Sequence, residues 1–302
     1  MKSQETIINK FNIPEVAAGL LEFFFTEDDL QFIYEYEDEP IGKEEFDKRY
    51  PDYREDAFSR GVISKVDESG SEYVLNDFYG LLDVFVVSEL EKYRSLPAET
   101  RKEIDEWYFR QYADGLDDDL SGRPTSDKVL SFEEMMDFID SLSEPLYLSN
   151  CDCKSLGGEC GSPTRTCINY APGLNSFAAR GISQPITKEE AKAVIRMADD
   201  HGLVHTISDH GICNCCDDCC YLFRAQKERG SVGLWPESKW IINIDEDKCV
   251  GCRRCETRCR FGALNKDFAS GKQQVDTSKC IGCGLCRKVC NKEALGLVNR
   301  RT

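Results

Sequence analysis

The stretches CVGCRRCETRC (249–259) and CIGCGLCRKVC (280–290) decide how this chain is read. Each runs C-x2-C-x2-C-x3-C, so Cys249, Cys252, Cys255 and Cys259 are answered in order by Cys280, Cys283, Cys286 and Cys290. So regular a doubling of thiols needs an occupant, and the rest of the chain narrows the choice. The 302 residues hold 17 cysteines, none before Cys151. An odd count suits a disulfide framework poorly, and the start MKSQETIINK shows no charged-then-apolar leader. Reduced thiols that bind metal in a cytoplasmic protein are therefore the expectation.

Three thiolates on one tight loop can take three irons of a cubane, while the fourth cysteine of the run, at the head of a short helix, reaches the other cluster. Gly251, Gly282 and Gly284 let backbone amides approach the sulfides. Two four-cysteine zinc sites would use similar C-x2-C pairs, but the doubled set favours iron. The stretch 240–298 resembles the bacterial-type two-cluster 4Fe-4S ferredoxins. The flanks agree: WIINIDEDKC before the first run, FGAL after it, GKQQVDTSKC before the second and EALGLV at the end. The resemblance implies a ferredoxin-like domain over 238–302 with two 4Fe-4S clusters. One would take Cys249, Cys252, Cys255 and Cys290; the other would take Cys280, Cys283, Cys286 and Cys259. The chain departs from the family at Arg260 and Asn291, where proline follows the fourth cysteine. With Arg253, Arg254, Arg258, Arg287 and Lys288, these residues favour the reduced cluster if they point inward. Facing solvent, they would be screened by salt.

The other nine cysteines fall between Cys151 and Cys220: Cys151, Cys153, Cys160 and Cys167, then Cys213, Cys215, Cys216, Cys219 and Cys220. Between the two groups a helix is predicted, opened by a Thr187–Glu190 capping box and stopped by Gly202. Strands are predicted at PLYLS and LVHTI, so both groups stand at strand ends where loops can converge. His201, His205 and His210 just precede the second group, and whether any of them is a ligand stays open. Residues 146–236 are thus expected to form a Cys-rich metal-binding domain with one or two further iron–sulfur clusters, zinc being the alternative. The arrangement from Leu148 to Tyr221, ahead of such a ferredoxin, resembles a group of anaerobe iron–sulfur proteins with a winged-helix-like front end.

Charge divides the chain in the same place. Residues 1–150 hold 37 of the 55 acidic and 15 of the 38 basic side chains, a net of −22 against +5 for the remainder. Helices are predicted from Pro14, over EDDLQFIYEYE with Thr26 and Asp29 as cap, and over GKEEFDKRY and DYREDAFSR. A hairpin then turns at Glu68-Ser69-Gly70. This is the order of a winged-helix-like domain over 1–95, within an α+β protein. DNA binding is disfavoured, because affinity for phosphates needs a positive face and six acidic residues match six basic ones across 41–66. Two more amphipathic helices are predicted at 81–94 and 97–113; the second, with an acidic linker over 114–128, makes up most of a helical extension and linker over 96–145. Ser131 and Glu134 then open another helix. No apolar run is long enough for a membrane span.

The expected function is low-potential electron transfer through the two clusters to or from a redox partner protein. The alternatives are a redox- or oxygen-sensing regulator, or an enzyme with an open cluster site among the middle cysteines. No nucleotide loop or nucleophile motif supports the last.

Overall fold

The computed structural model describes residues 2–116, 127–158 and 160–300. The fold is mixed α and β and divides into two compact units. The first comprises Met1–Gly115, Ser149–Gly158 and Pro172–Gln184; the second comprises Leu116–Leu148, Glu159–Ala171 and Pro185–Thr302. The segment 146–236 is therefore shared between them, and Cys151 and Cys153 go with the first unit. Most of the acidic linker, 117–126, lies outside the described residues.

In the first unit, Thr26 and Asp29 close a reciprocal capping box over the helix Glu27–Glu35. The strand Ile41–Gly42 follows, then the helices Lys43–Arg49 and Arg54–Ser59, then the antiparallel pair Ile63–Lys65 and Glu72–Leu75. The sheet order puts Glu72–Leu75 in the middle, with Ile41 opposite Tyr73 and Ile63 opposite Leu75. Two expected helices are broken. The run from Pro14 forms Glu15–Ala18 and Leu21–Phe24, separated at Gly19 and Leu20. The second splits at Glu89 into Phe78–Ser88 and Leu90–Arg94. The resulting pieces pack ring against ring: Phe24 meets Phe78 and Phe85 edge-on, with centroids 5.1 and 5.0 Å apart. The later segments are stitched in by polar contacts. Arg180 donates to the carbonyl of Ile63 at 3.0 Å and to Ser64 Oγ at 3.1 Å, and Asn150 donates to the Val87 carbonyl at 3.0 Å.

The second unit is built on a seven-stranded sheet. Its strand order is Glu237–Ser238, Lys128–Leu130, Val204–Ile207, Gly211–Cys215, Cys167–Asn169, Leu146–Ser149, Gln184–Ile186. The helices Phe132–Ser141 and Lys188–Asp200, each opened by its capping box, bury Met135, Ile139, Ala191 and Ile195 with Leu146, Ile168 and Ile212 of the strands. The strand Gly211–Cys215 has weak β-formers and escapes sequence reading, yet it pairs Val204 with Cys215 and Thr206 with Cys213. The cysteine-rich run thus begins inside a strand.

Two short ladders finish the unit. Trp240–Ile244 pairs antiparallel with Leu295–Asn299, and Leu264–Lys266 pairs with Gln273–Val275. The helix Arg254–Arg258 and the 3-10 turn Arg287–Val289 occupy matching places in the two halves.

Candidate metal centres

The two halves of the C-terminal module repeat the same backbone hydrogen bonds ahead of their cysteine runs. Asp245 and Asp276 each accept the amide of the first cysteine of their run, Cys249 at 3.0 Å and Cys280 at 3.1 Å. Their own amides donate to Ala294 and Ala263 at 2.8 and 2.7 Å. The result crosses the halves over. One cavity, of about 220 Å³, is lined by Cys249, Cys252, Cys255 and Cys290. A second is lined by Cys259, Cys280, Cys283 and Cys286, with Ile242, Phe261, Ile281 and Leu285.

Glycine is required at two positions of these loops. Gly251 has φ +62°, and a Cβ there would stand 1.9 Å from the Gly271 carbonyl oxygen. Gly282 has φ +70°, and its Cβ would stand 2.0 Å from the Trp240 carbonyl oxygen. Arg253 is also left-handed, at φ +66°, and its guanidinium is tied to Glu256 by contacts of 2.9 and 2.7 Å.

The donors suit iron–sulfur clusters. The amides of Ala263, Ala294 and Gln273 point at Cys259 Sγ, Cys290 Sγ and Cys249 Sγ at 3.4, 3.3 and 3.5 Å, the kind of N–H contact that tunes cluster sulfur. Burial pushes the Cys255 thiol up to about 11 and the Cys283 thiol up to about 12, and raises Cys286 as well. Nearby cations of bound iron are what would hold these sulfurs as thiolates.

The nine middle cysteines separate into several settings. Cys151 and Cys153 flank Asp152 in the first unit, and their ligating atoms lie within 4.8 Å of one another. In the second unit Cys160, Cys216, Asp218 and Cys219 gather equally closely. The Cys216 and Cys219 thiols hydrogen-bond to Cys160 and hold its thiol far below the usual range, while the same contacts push Cys216 up to about 12 and Cys219 further. Cys167 Sγ and Cys213 Sγ, on neighbouring strands, are 3.9 Å apart. Cys215 Sγ is 3.6 Å from Thr206 Oγ1, and buried Cys220 stands at the N-cap of the helix Tyr221–Arg229. Asp218 was not legible as a candidate; a carboxylate inside a C-x2-C loop was the available signal.

Among the described residues no histidine joins these groups. His201 Nδ1 is 2.8 Å from the Met197 carbonyl, His210 Nδ1 is 3.2 Å from the Ala171 carbonyl, and buried His205 meets Asn214 Oδ1 at 2.7 Å. The basic side chains near the clusters are largely engaged with protein acceptors. Arg260 reaches Asp217 at 3.4 Å, Arg258 donates to the Asp200 carbonyl at 3.0 Å, and Lys288 pairs with Asp199 and Asp200.

Residues 241–291 match the family described as 4Fe-4S dicluster domain. No curated protein and no solved structure matches the chain. The chain therefore carries an iron–sulfur module near its C-terminus, and the module together with the many cysteines supports a role in electron transfer. Among the described residues no helix is long and apolar enough to cross a membrane.

Proposed function

We propose that this protein relays low-potential electrons between partner proteins. The observation that carries the reading is the crossed lining of the two cavities. On it, Cys249, Cys252, Cys255 and Cys290 hold one 4Fe-4S cluster, and Cys280, Cys283, Cys286 and Cys259 hold the other. Such clusters supply one-electron exchange at a potential set by hydrogen bonds, charge and solvent exposure. The chain's own residues supply those settings: amides at Cys249, Cys259 and Cys290, and an apolar wall of Ile242, Ile281 and Leu285. Cys252 is exposed and its neighbour Val250 is 60% exposed, so the first cavity offers a partner its closest approach. Protein purified without oxygen should contain about eight irons and eight sulfides and give reduced-cluster EPR signals. Cys252→Ser should lower both by about half. Full iron retention in that variant would refute the ligand assignment.

A second reading, a redox-responsive regulator, draws on the first unit. Its helix, strand, helix, helix, hairpin order, with Glu72–Leu75 central in the small sheet, supports a winged-helix-like domain. The charges speak for protein docking rather than DNA. Arg54 is bound to Asp47 and Glu55 at 2.7 Å each, and Arg60 is bound to Asp29 and Asp56. Such pairing leaves little positive charge for phosphates. A salt-sensitive micromolar complex of the whole protein with duplex DNA would promote the regulator.

A further inference from the structure

We propose that Cys160, Cys216, Cys219 and Asp218 hold one divalent ion of the zinc class, and not a third cubane. All four ligating atoms lie within 4.8 Å of one another. Three thiolates around a tetrahedral ion, each at about 2.3 Å from it, stand about 3.8 Å apart, so the group needs to contract only slightly. In a cubane every thiolate binds a different corner iron, and the ligand sulfurs are held apart by the width of the cluster.

The same chain provides the comparison. The quartet Cys249, Cys252, Cys255 and Cys290 lines a cavity of about 220 Å³ and the quartet Cys259, Cys280, Cys283 and Cys286 one of about 20 Å³, so the spacing of the sulfurs and not the volume makes the distinction. Among the described residues neither ferredoxin quartet draws three sulfurs together as tightly as Cys160, Cys216 and Cys219.

The local chain supports a closed ligand loop. Cys216 directly follows the strand Gly211–Cys215, and Cys220 stands at the N-cap of the helix Tyr221–Arg229. Between them the Cys219 amide donates to Cys216 Sγ at 3.3 Å and to Asp218 Oδ1 at 2.8 Å. That holds both sulfurs and the carboxylate on one side of the turn. Cys160 arrives from a separate segment, so the ion fastens that segment to the strand and helix. Cys216 and Cys219 are buried, whereas Asp218 is exposed and stands on the solvent side, where an ion can enter. Soft thiolates with one carboxylate suit zinc or a lone ferrous iron, with zinc the better match to a closed four-ligand site.

The inference uses the two-cluster reading only for its sulfide baseline; the zinc edge is read independently. Whole protein purified without oxygen should hold about one zinc per chain beside about eight sulfides. Absorption at the zinc edge should show about three sulfurs near 2.3 Å and one oxygen near 2.0–2.2 Å. The double change Cys216→Ser and Cys219→Ser should remove the zinc and leave sulfide unchanged. About twelve sulfides per chain, falling by about four in that variant, would overturn the proposal in favour of a cubane. Should the double variant not fold, Asp218→Ala at the exposed ligand gives the answer. It should weaken zinc retention against a chelator by about 10- to 100-fold and change the oxygen shell. Unchanged retention with an unchanged shell would remove Asp218 from the site.

Discussion

The first unit and the iron–sulfur module bury different chemistry. Phe11, Phe32, Phe46, Phe78 and Phe109 are all 1% exposed or less, and rings such as Phe32 and Phe46 meet at 5.2 Å. Each contributes about 2–3 kcal/mol by leaving water. The module's buried cluster is instead Ile242, Ala263, Leu264 and Leu295 with Cys255, Cys280 and Cys286. Three of its seven members are thiols that need metal to become useful neighbours. The aromatic core of the first unit rests on its own side chains, whereas the buried thiols of the module suit iron–sulfur ligation.

Metal removal tests that contrast with the largest expected effect. Chelation of reduced protein, followed by amide exchange, should abolish protection across 241–299 and leave the helices of 27–109 protected. Equal loss in both regions would break the comparison.

Next comes the loop that shapes the second cavity. Gly282→Ala combines a left-handed φ with a clash against the Trp240 carbonyl. Strain and overpacking each cost about 1–3 kcal/mol, so the module should lose roughly 2–6 kcal/mol, and its second cluster with it. Gly296→Ala, with nothing within 4 Å of its added carbon, should lie within about 0.5 kcal/mol of the parent. Denaturant midpoints of the loaded protein check both.

How much of this was written in the sequence depends on range. The capping boxes at Thr26, Ser131 and Thr187 were legible because their partners stand three residues apart. The cysteine doubling was legible for a similar reason, since fixed spacing forces fixed loops. The strand Gly211–Cys215 was not, because its pairing with Val204–Ile207 outweighs its weak propensity. Nor was the sorting of the nine middle cysteines: Cys160 meets Cys216 across a long stretch of chain, and only the fold brings them together. Arg60 likewise pairs with Asp29, distant in sequence, as well as with nearby Asp56.

That Asp29 contact tests the self-sufficient region. Asp29 is fully buried and accepts from Arg60 at 2.7 Å and from Tyr53 at 2.6 Å. Burial opposes its charge, but the Arg60 and Tyr53 hydrogen bonds outweigh it and hold the carboxyl below its usual range. A lowered folded pKa gives stability that is present above the unfolded carboxyl value and lost as pH falls through the folded one. Asp29→Asn should cost about 3 kcal/mol at pH 7, at the low end for a broken buried pair because Arg60 keeps Asp56. The loss should shrink below pH 4. Thermal melts of the first unit against pH read both.

The smallest effect has the opposite sign and sits in the same unit. Desolvation, reinforced by the Asp152 charge, raises the Asp83 carboxyl well above its usual range, and burial raises Asp152 too. Asp83 Oδ1 is cut off from solvent without a hydrogen-bond partner. A raised folded pKa gives stability that is complete below the unfolded carboxyl value and lost as pH climbs through the folded one. Asp83→Asn removes that titration, so the variant should gain on the parent as pH rises, by about 1 kcal/mol at pH 8, the low end for one unpaired buried acceptor. At pH 4 the two should melt together. A variant that is less stable at pH 8 would mean that the ionised Asp83 is held by the Tyr108 hydrogen bond and the Arg180 charge, both of which lower its pKa, and that the first unit, too, depends on a buried charge.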